Sequence, residues 1–287
     1  MRIFVTGATG FTGSNTIPLL LSSGYQVTCL YRSSSDQSVL PQPDIDWVPG
    51  NVADRVGLTG AMKSSDTLVN IASLGFGHAD AIVAAAEDAG IKRAIFISTT
   101  AIFTQLSASS KAVRLAAEET IKNSSLAYTI LRPTMIYGSS RDRNIWRLIR
   151  WVKTIPVIPV MGNGNYLMQP IYVEDVAQAI LLSLKSERTI AKCYNIAGGH
   201  ALTYNQLIDT VGEQLNRRIL KIHLPAKLSV RFLKMIESLG LKLPIKSEQV
   251  ERLNENKNFA IDQAREDFNF QPRSFSEGIQ LELGLDP

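Results

Sequence analysis

Three glycines in Thr6-Gly7-Ala8-Thr9-Gly10-Phe11-Thr12-Gly13 stand at G-x-x-G-x-x-G spacing between the apolar run Ile3-Phe4-Val5 and a helix-length segment. This spacing suits anion binding. The first glycine permits a tight turn, the second lets backbone approach a pyrophosphate, and the third lets the helix pack close to the strand, while the helix's opening N–H groups face the anion. The expected dinucleotide contacts are Gly7, Thr9, Gly10, Phe11, Thr12 and Gly13. A glycine-rich turn without a ligand is the plainer alternative, and the strand–turn–helix setting favours the ligand. Roughly 20 residues beyond Gly13, where an acidic side chain would hold the adenosine ribose of NAD, the chain reads Leu30-Tyr31-Arg32-Ser33-Ser34-Ser35. A guanidinium with neighbouring hydroxyls matches a 2′-phosphate through charge-assisted bonds, which a carboxylate would repel. Arg32 and Ser33 therefore favour NADP(H) over NAD(H), without excluding NAD(H); a solvated surface arginine is the alternative.

Other residues invite chemistry less directly. His78, in Ser73-Leu74-Gly75-Phe76-Gly77-His78, is an acid–base candidate at a position where capping or solvation is the commoner role. Arg141, Arg143 and Asn144, with Trp146 and Trp151 behind them, either bind an anionic ligand or form the solvated face of an amphipathic helix. Glu174-Asp175 opens a helix, where carboxylates answer free N–H groups and the helix dipole better than they make a catalytic pair. Cys29 and Cys193 lie far apart, each read as a buried thiol, so neither a disulfide framework nor a metal site is expected.

The elements that must position these residues follow from periodicity. Ile3-Val5, Val27-Leu30, Asp46-Val48, Thr67-Ile71, Ala94-Ile97 and Tyr128-Leu131 read as strands, and about Thr12–Ser23, Asp54–Lys63, Ala79–Ala89 and Lys111–Lys122 as helices. The alternation specifies an α/β fold, a doubly wound parallel sheet of Rossmann type with helices on both faces. Pro18 should bend the first helix. The rhythm breaks after Gly138. Ile155-Pro156-Val157-Ile158-Pro159-Val160 carries two prolines that argue against a central strand, and its apolar residues suit a partner, a membrane-bound complex or another lobe equally well. Regularity returns with Pro170-Val173, a helix from Asp175 to about Leu184, the strand Tyr194-Ala197 and a helix after Thr203. The tail carries an apolar stripe at Leu228, Phe232, Ile236 and Leu239. The expected organisation is a dinucleotide-binding domain of residues 1–138 and 166–200, with a smaller discontinuous C-terminal lobe of residues 139–165 and 201–287 for a substrate or partner.

The chain has 287 residues, 45% of them hydrophobic, which is enough for a full core. Its net charge of +4 is too mild and dispersed for a nucleic-acid surface. No apolar run reaches the length of a membrane span. A strand beginning near Arg2 leaves no room for a signal peptide, so the expected compartment is the cytoplasm.

The sequence resembles the extended short-chain dehydrogenase/reductase superfamily of epimerases, dehydratases and ketoreductases. The resemblance runs through the glycine loop, Gly50-Asn51-Val52-Ala53-Asp54, Ile97-Ser98-Thr99-Thr100, Leu131-Arg132-Pro133-Thr134-Met135-Ile136-Tyr137-Gly138, Ile171-Tyr172-Val173-Glu174-Asp175-Val176-Ala177 and Tyr194-Asn195-Ile196-Ala197-Gly198-Gly199. It implies a catalytic hydroxyl at Thr99, a lysine at Lys111 that lowers the pKa of a tyrosine and holds the nicotinamide ribose, and a cofactor contact at Pro133. The Tyr-x-x-x-Lys tyrosine position falls on Ser107, whose hydroxyl is far less acidic than a phenol and shorter in reach. A relay through Ser109, Ser110 or Thr104 and a water is the remaining route for a proton. Members acting on nucleotide sugars usually carry Asn at Met135 and Arg at Met168, so a nucleotide-sugar substrate is less favoured here. Met168 to Ala177 looks like the atypical branch that includes the NADPH-binding accessory subunit of respiratory complex I, where the nucleotide is structural. Two readings follow: an NADP-dependent oxidoreductase or epimerase-like enzyme acting on an unknown small molecule, or a noncatalytic NADP(H)-binding sensor or assembly subunit. A protein partner and a homodimer both stay open.

Overall fold

The computed structural model describes residues 1–106, 109–142, 144–225, 230–231 and 255–284. In chain order the first half comprises β1 (Arg2–Thr6), α1 (Phe11–Ser22), β2 (Gln26–Tyr31), β3 (Ile45–Pro49), α2 (Arg55–Met62), β4 (Thr67–Asn70), α3 (Ala79–Asp88), β5 (Arg93–Ile97), α4 (Ser109–Lys122) and β6 (Ala127–Pro133). There follow β7 (Ile136–Tyr137), α5 (Ile145–Thr154), β8 (Val157–Met161), β9 (Leu167–Met168), β10 (Ile171–Tyr172), α6 (Val173–Lys185) and β11 (Lys192–Ile196). The remaining described elements are β12 (Leu202–Thr203), α7 (Tyr204–Gln214), β13 (Leu220–Leu224), α8 (Asp262–Phe268) and α9 (Phe275–Leu283).

The first of two units is Met1–Thr134, Val173–Ile196 and Ala260–Gln271. Its seven strands pair in the order β11-β6-β5-β4-β1-β2-β3, every pair parallel. A sheet covered on both faces needs near-continuous apolar strands, and Ile3, Phe4 and Val5 are all fully buried. Phe4, Leu68, Phe96 and Ile130 share one core with Leu58 of α2, Ile82 of α3 and Ile121 of α4, whereas α1 packs against α6. The order reverses between β1 and β4, which opens the crevice at their carboxyl ends. At the other end of the sheet Arg93 donates to the Ala127 and Ser183 carbonyls and to the Thr129 and Thr189 hydroxyls, and burial lowers its pKa to about 10. That cluster ties β5 and β6 to the end of α6 and serves stability.

The second unit is Met135–Tyr172, Ala197–Phe259 and Pro272–Pro287. Three two-stranded ladders, β10-β7, β12-β9 and β13-β8, surround a core of Tyr137, Ile149, Val160, Leu207, Val211, Phe275 and Ile279. Capping boxes at Thr203 and Ser274 start α7 and α9.

Several expectations shift. Residues 135–138, 166–172 and 197–200 group with the second unit rather than the first, because the ladders formed by β7, β9 and β12 close its core. Residues 260–271 return to the first unit, where Asp267 accepts from Lys192 and Tyr194 of β11. The proline-bearing run stays out of the central sheet, as its prolines required, and forms β8 of a two-stranded ribbon where Pro159 costs no central ladder bond. α1 carries Pro18 inside it, where the sequence reading placed it. The stripe from Leu228 to Leu239 lies outside the described residues.

Candidate functional site

Gly7 leaves β1 at φ +74, and a Cβ there would lie 2.7 Å from the Ala72 nitrogen and 2.9 Å from the Ile71 carbonyl carbon. A Cβ on Gly13 would overlap the Gly7 and Ala8 carbonyl oxygens, so α1 starts directly against the turn. Gly10 caps α1 in extended conformation and, lacking a side chain, makes no cap bond to the first turn itself. Beneath the turn the fully buried Thr6 and Asn70 hold β1 to β4: Thr6 Oγ1 donates to Asn70 Oδ1 at 2.7 Å, and Asn70 Nδ2 donates to the Ala72 carbonyl at 3.0 Å. A cradle that side chains would fill, at the N-terminus of a helix, fits the pyrophosphate of a dinucleotide.

Arg32 follows β2 and is exposed, as are Ser33 and Ser34. The Arg32 backbone N–H donates to Ser35 Oγ at 3.1 Å and the Ser35 N–H donates to the Arg32 carbonyl at 2.8 Å, a tight turn that holds this run at the strand end. Among the described residues the Arg32 guanidinium has no hydrogen-bond or ion-pair partner.

At the neighbouring strand ends Ser98 and Arg132 lie one step beyond the paired Ile97 and Leu131, with the Ser98 N–H bonded to the Leu131 carbonyl at 2.8 Å. Thr99 caps the short turn Thr100–Phe103, its hydroxyl accepting from the Ala101 N–H at 3.2 Å. Buried Pro133 ends β6, and its carbonyl accepts from Thr100 Oγ1 at 3.4 Å. Lys111, half-buried in the first turn of α4, donates through Nζ to the Thr104 carbonyl at 2.5 Å. The structure thus brings Thr99 and Pro133 to adjacent strand ends and ties Lys111 to the turn that Thr99 caps. Ser107 lies outside the described residues. Of the relay candidates, Ser110 already accepts from Arg114 at 2.8 Å and Thr104 Oγ1 from the Leu106 N–H at 3.3 Å.

Sequence reasoning missed a polar cluster behind Thr99. Ser98 Oγ donates to Glu118 Oε1 at 2.6 Å, Arg132 grips the same carboxylate, and the Arg132 guanidinium lies 5.4 Å from the Phe103 ring centre. A signal existed: Glu118 falls two helical turns after Lys111, on the same face of α4.

Elsewhere, half-buried His78 precedes α3 without a side-chain cap bond. Glu174 and Asp175 stand in the first turn of α6. In the second unit, Met168 is buried in the core. Arg141 is exposed, Asn144 precedes α5, and Arg143 lies outside the described residues. Burial pushes the Cys29 thiol up to about 12, which makes it inert. Cys193 is half-buried rather than buried, because the last strand added to the sheet has one free edge. Among the described residues no His, Cys, Asp and Glu side chains group as metal ligands, and no helix is long and apolar enough to cross a membrane.

A family model described as NAD(P)H-binding matches residues 7–187. The chain is 29% identical over 245 residues to the mitochondrial NADH dehydrogenase [ubiquinone] 1 alpha subcomplex subunit 9 of Arabidopsis thaliana, covering 77% of this chain and 60% of that protein's length. It is 23% identical over 322 aligned positions to the N-acetyl-alpha-D-glucosaminyl-diphospho-ditrans,octacis-undecaprenol 4-epimerase of Escherichia coli O157:H7, covering 98% of this chain and 94% of the relative. Among solved structures, UDP-glucose 4-epimerase of Thermotoga maritima shares the fold, with a TM-score of 0.77, 18% identity and coverage of 99% and 98% of the two chains.

Proposed function

The chain belongs to the NAD(P)H-binding family, within the extended short-chain dehydrogenase/reductase superfamily, and on that premise we propose that it is an NADP(H)-dependent oxidoreductase or epimerase-like enzyme acting on a small carbonyl or hydroxyl compound. The observation that carries the cofactor choice is Arg32: an exposed guanidinium without a partner among the described residues, beside the exposed Ser33 and Ser34, at the end of β2. A 2′-phosphate fits that group, and no carboxylate stands in the turn to repel it.

In this reading Gly7, Thr9, Gly10, Phe11, Thr12 and Gly13 hold the pyrophosphate, Arg32 and Ser33 the adenosine phosphate, and Lys111 and Pro133 the nicotinamide side. The nicotinamide, when bound, exchanges a hydride with a C–OH or C=O carbon. Thr99 accepts from Ala101 and keeps its own O–H to donate toward a substrate oxygen. Arg141 is the candidate anchor for an anionic substrate. A nucleotide sugar is less favoured, because Met168 is buried in the core and its thioether offers a diphosphate no charge. The reading keeps the cytoplasm as compartment, a reducing setting that two free thiols suit.

The test is a calorimetric titration with NADPH and NADH, repeated on Arg32→Ala. Tighter NADPH binding that loses its preference in the variant is the expected result. Equal affinities in the parent chain would remove the NADP assignment, and no binding of either would remove the nucleotide site.

Ser107 at the tyrosine position supports a second reading, a noncatalytic NADP(H)-binding sensor or assembly subunit. The likeness to a respiratory-complex subunit favours it as well. It predicts tight NADPH binding, no turnover on a broad carbonyl panel and a co-purifying partner. A monomer with robust reductase activity would rule it out.

A further inference from the structure

In the second unit, the β8–β13 ribbon has two unlike faces. Parallel partners share a face, so the register Leu220↔Val157, Ile222↔Pro159 and Leu224↔Met161 puts six apolar side chains on one side. The opposite side carries buried Ile158 and Val160 with Lys221 and His223, which reach Asp209 and Asn205 of α7. The apolar side therefore faces away from α7. Leu220 is 63% exposed, Ile222 46% and Leu224 37%. The apolar surface continues onto the end of α5: the Leu220 N–H donates to the Pro156 carbonyl, and Ile155 and Trp151 are also exposed.

Cations surround this surface. Arg147, Arg150 and Lys153 are exposed on α5, Arg218 is exposed before β13, and Arg217 reaches the Val152 and Lys153 carbonyls. Residues 143–173 and 214–236 contain no Asp or Glu and ten Lys or Arg. The nearest described carboxylates on the packed helix are Asp209, engaged by Lys221, and the exposed Glu213.

We propose that the outward face of the β8–β13 ribbon and the end of α5 form a docking surface for an anionic lipid bilayer. Leu220, Ile222, Leu224, Ile155 and Trp151 enter the interfacial layer, and Arg147, Arg150, Lys153 and Arg218 meet the headgroups. A water-facing ribbon gains nothing from an unbroken apolar side, and a purely apolar partner would not require the cationic surround.

The full chain is floated with vesicles of phosphatidylcholine alone and of phosphatidylcholine mixed with phosphatidylglycerol, at low and high salt. Leu220→Ser/Ile222→Ser and Arg147→Gln/Arg150→Gln variants are run in parallel, with circular dichroism confirming their fold. Flotation only with the anionic vesicles, weakened by salt and by about tenfold or more in each variant, is expected. Failure to float with either vesicle overturns the proposal, as does equal flotation with both that the arginine variant leaves unchanged. A concentration-dependent dimer abolished by the serine variant, without vesicle binding, overturns it in favour of a second copy on this face.

Discussion

Glu118 and Arg132 form a two-pronged ion pair: Arg132 Nε lies 2.9 and 3.1 Å from the two carboxylate oxygens and Nη2 lies 2.5 Å from Oε2, with Glu118 only 1% exposed. Burial acts to lower the Arg132 pKa, and the bonds to Glu118 outweigh it, so the net shift is upward. Glu118→Ala leaves the mostly buried Arg132 guanidinium without its carboxylate and releases Ser98, two losses that link α4 to the ends of β5 and β6. We expect urea unfolding to show a loss of about 3–5 kcal/mol. A loss below about 1 kcal/mol would mean that water replaces the carboxylate.

Gly13 and Gly10 separate packing from ligand access. Gly13→Ala pushes a methyl into the Gly7 and Ala8 carbonyls, so it should cost about 1–3 kcal/mol of stability as well as cofactor affinity. Gly10 has φ −69 and a Cβ there meets only the Gly7 oxygen, at 3.1 Å. Gly10→Ala should therefore keep most of its melting temperature while weakening NADPH binding. Normal NADPH affinity in both variants would remove the pyrophosphate from this cradle.

Lys111 discriminates between a ribose contact and a loop anchor. Lys111→Met keeps the aliphatic stem and removes the bond to the Thr104 carbonyl. A ribose contact predicts NADPH affinity lowered several-fold, on the order of 1 kcal/mol. Unchanged affinity with a lowered melting temperature would assign Lys111 to holding the turn alone.

Glu282, on α9, buries both carboxyl oxygens beside the Asp142 carboxyl. Burial, and then the Asp142 carboxylate, push its pKa from 4.5 up to about 9. Between those values the folded chain holds a proton that the unfolded chain releases, so this group's contribution to stability falls as pH rises through the window. Glu282→Gln should match the parent near pH 4 and exceed it at pH 8 by about 1–2 kcal/mol, discounted for partial exposure. Identical pH profiles in urea unfolding would show that Glu282 is ionised in the folded state.

The strand–glycine turn–helix start, the β–α alternation of the first half and the place of Arg32-Ser33-Ser34 at the end of β2 were legible because each depends on local spacing. A strand buried on both faces must be continuously apolar, and a tight turn before a helix needs glycine, so Ile3 to Gly13 announces itself. The proline-bearing β8 was not legible as a strand, since only the pairing with β13, about 60 residues later, gives its remaining amides acceptors. The return of residues 260–271 to the first unit depends on Asp267 finding Lys192 and Tyr194, a pairing that no periodicity records.

The sequence by itself determined the parallel α/β architecture and the family, because backbone geometry and burial impose short-range patterns on the residues that satisfy them. Tertiary structure alone decided that Glu118 would stand behind Thr99 between Ser98 and Arg132, and that Leu220, Ile222 and Leu224 would line one face with Val157, Pro159 and Met161. These are partnerships between distant segments, chosen by which charges must be paired out of water and which strand edges must meet. A local pattern constrains such choices only weakly.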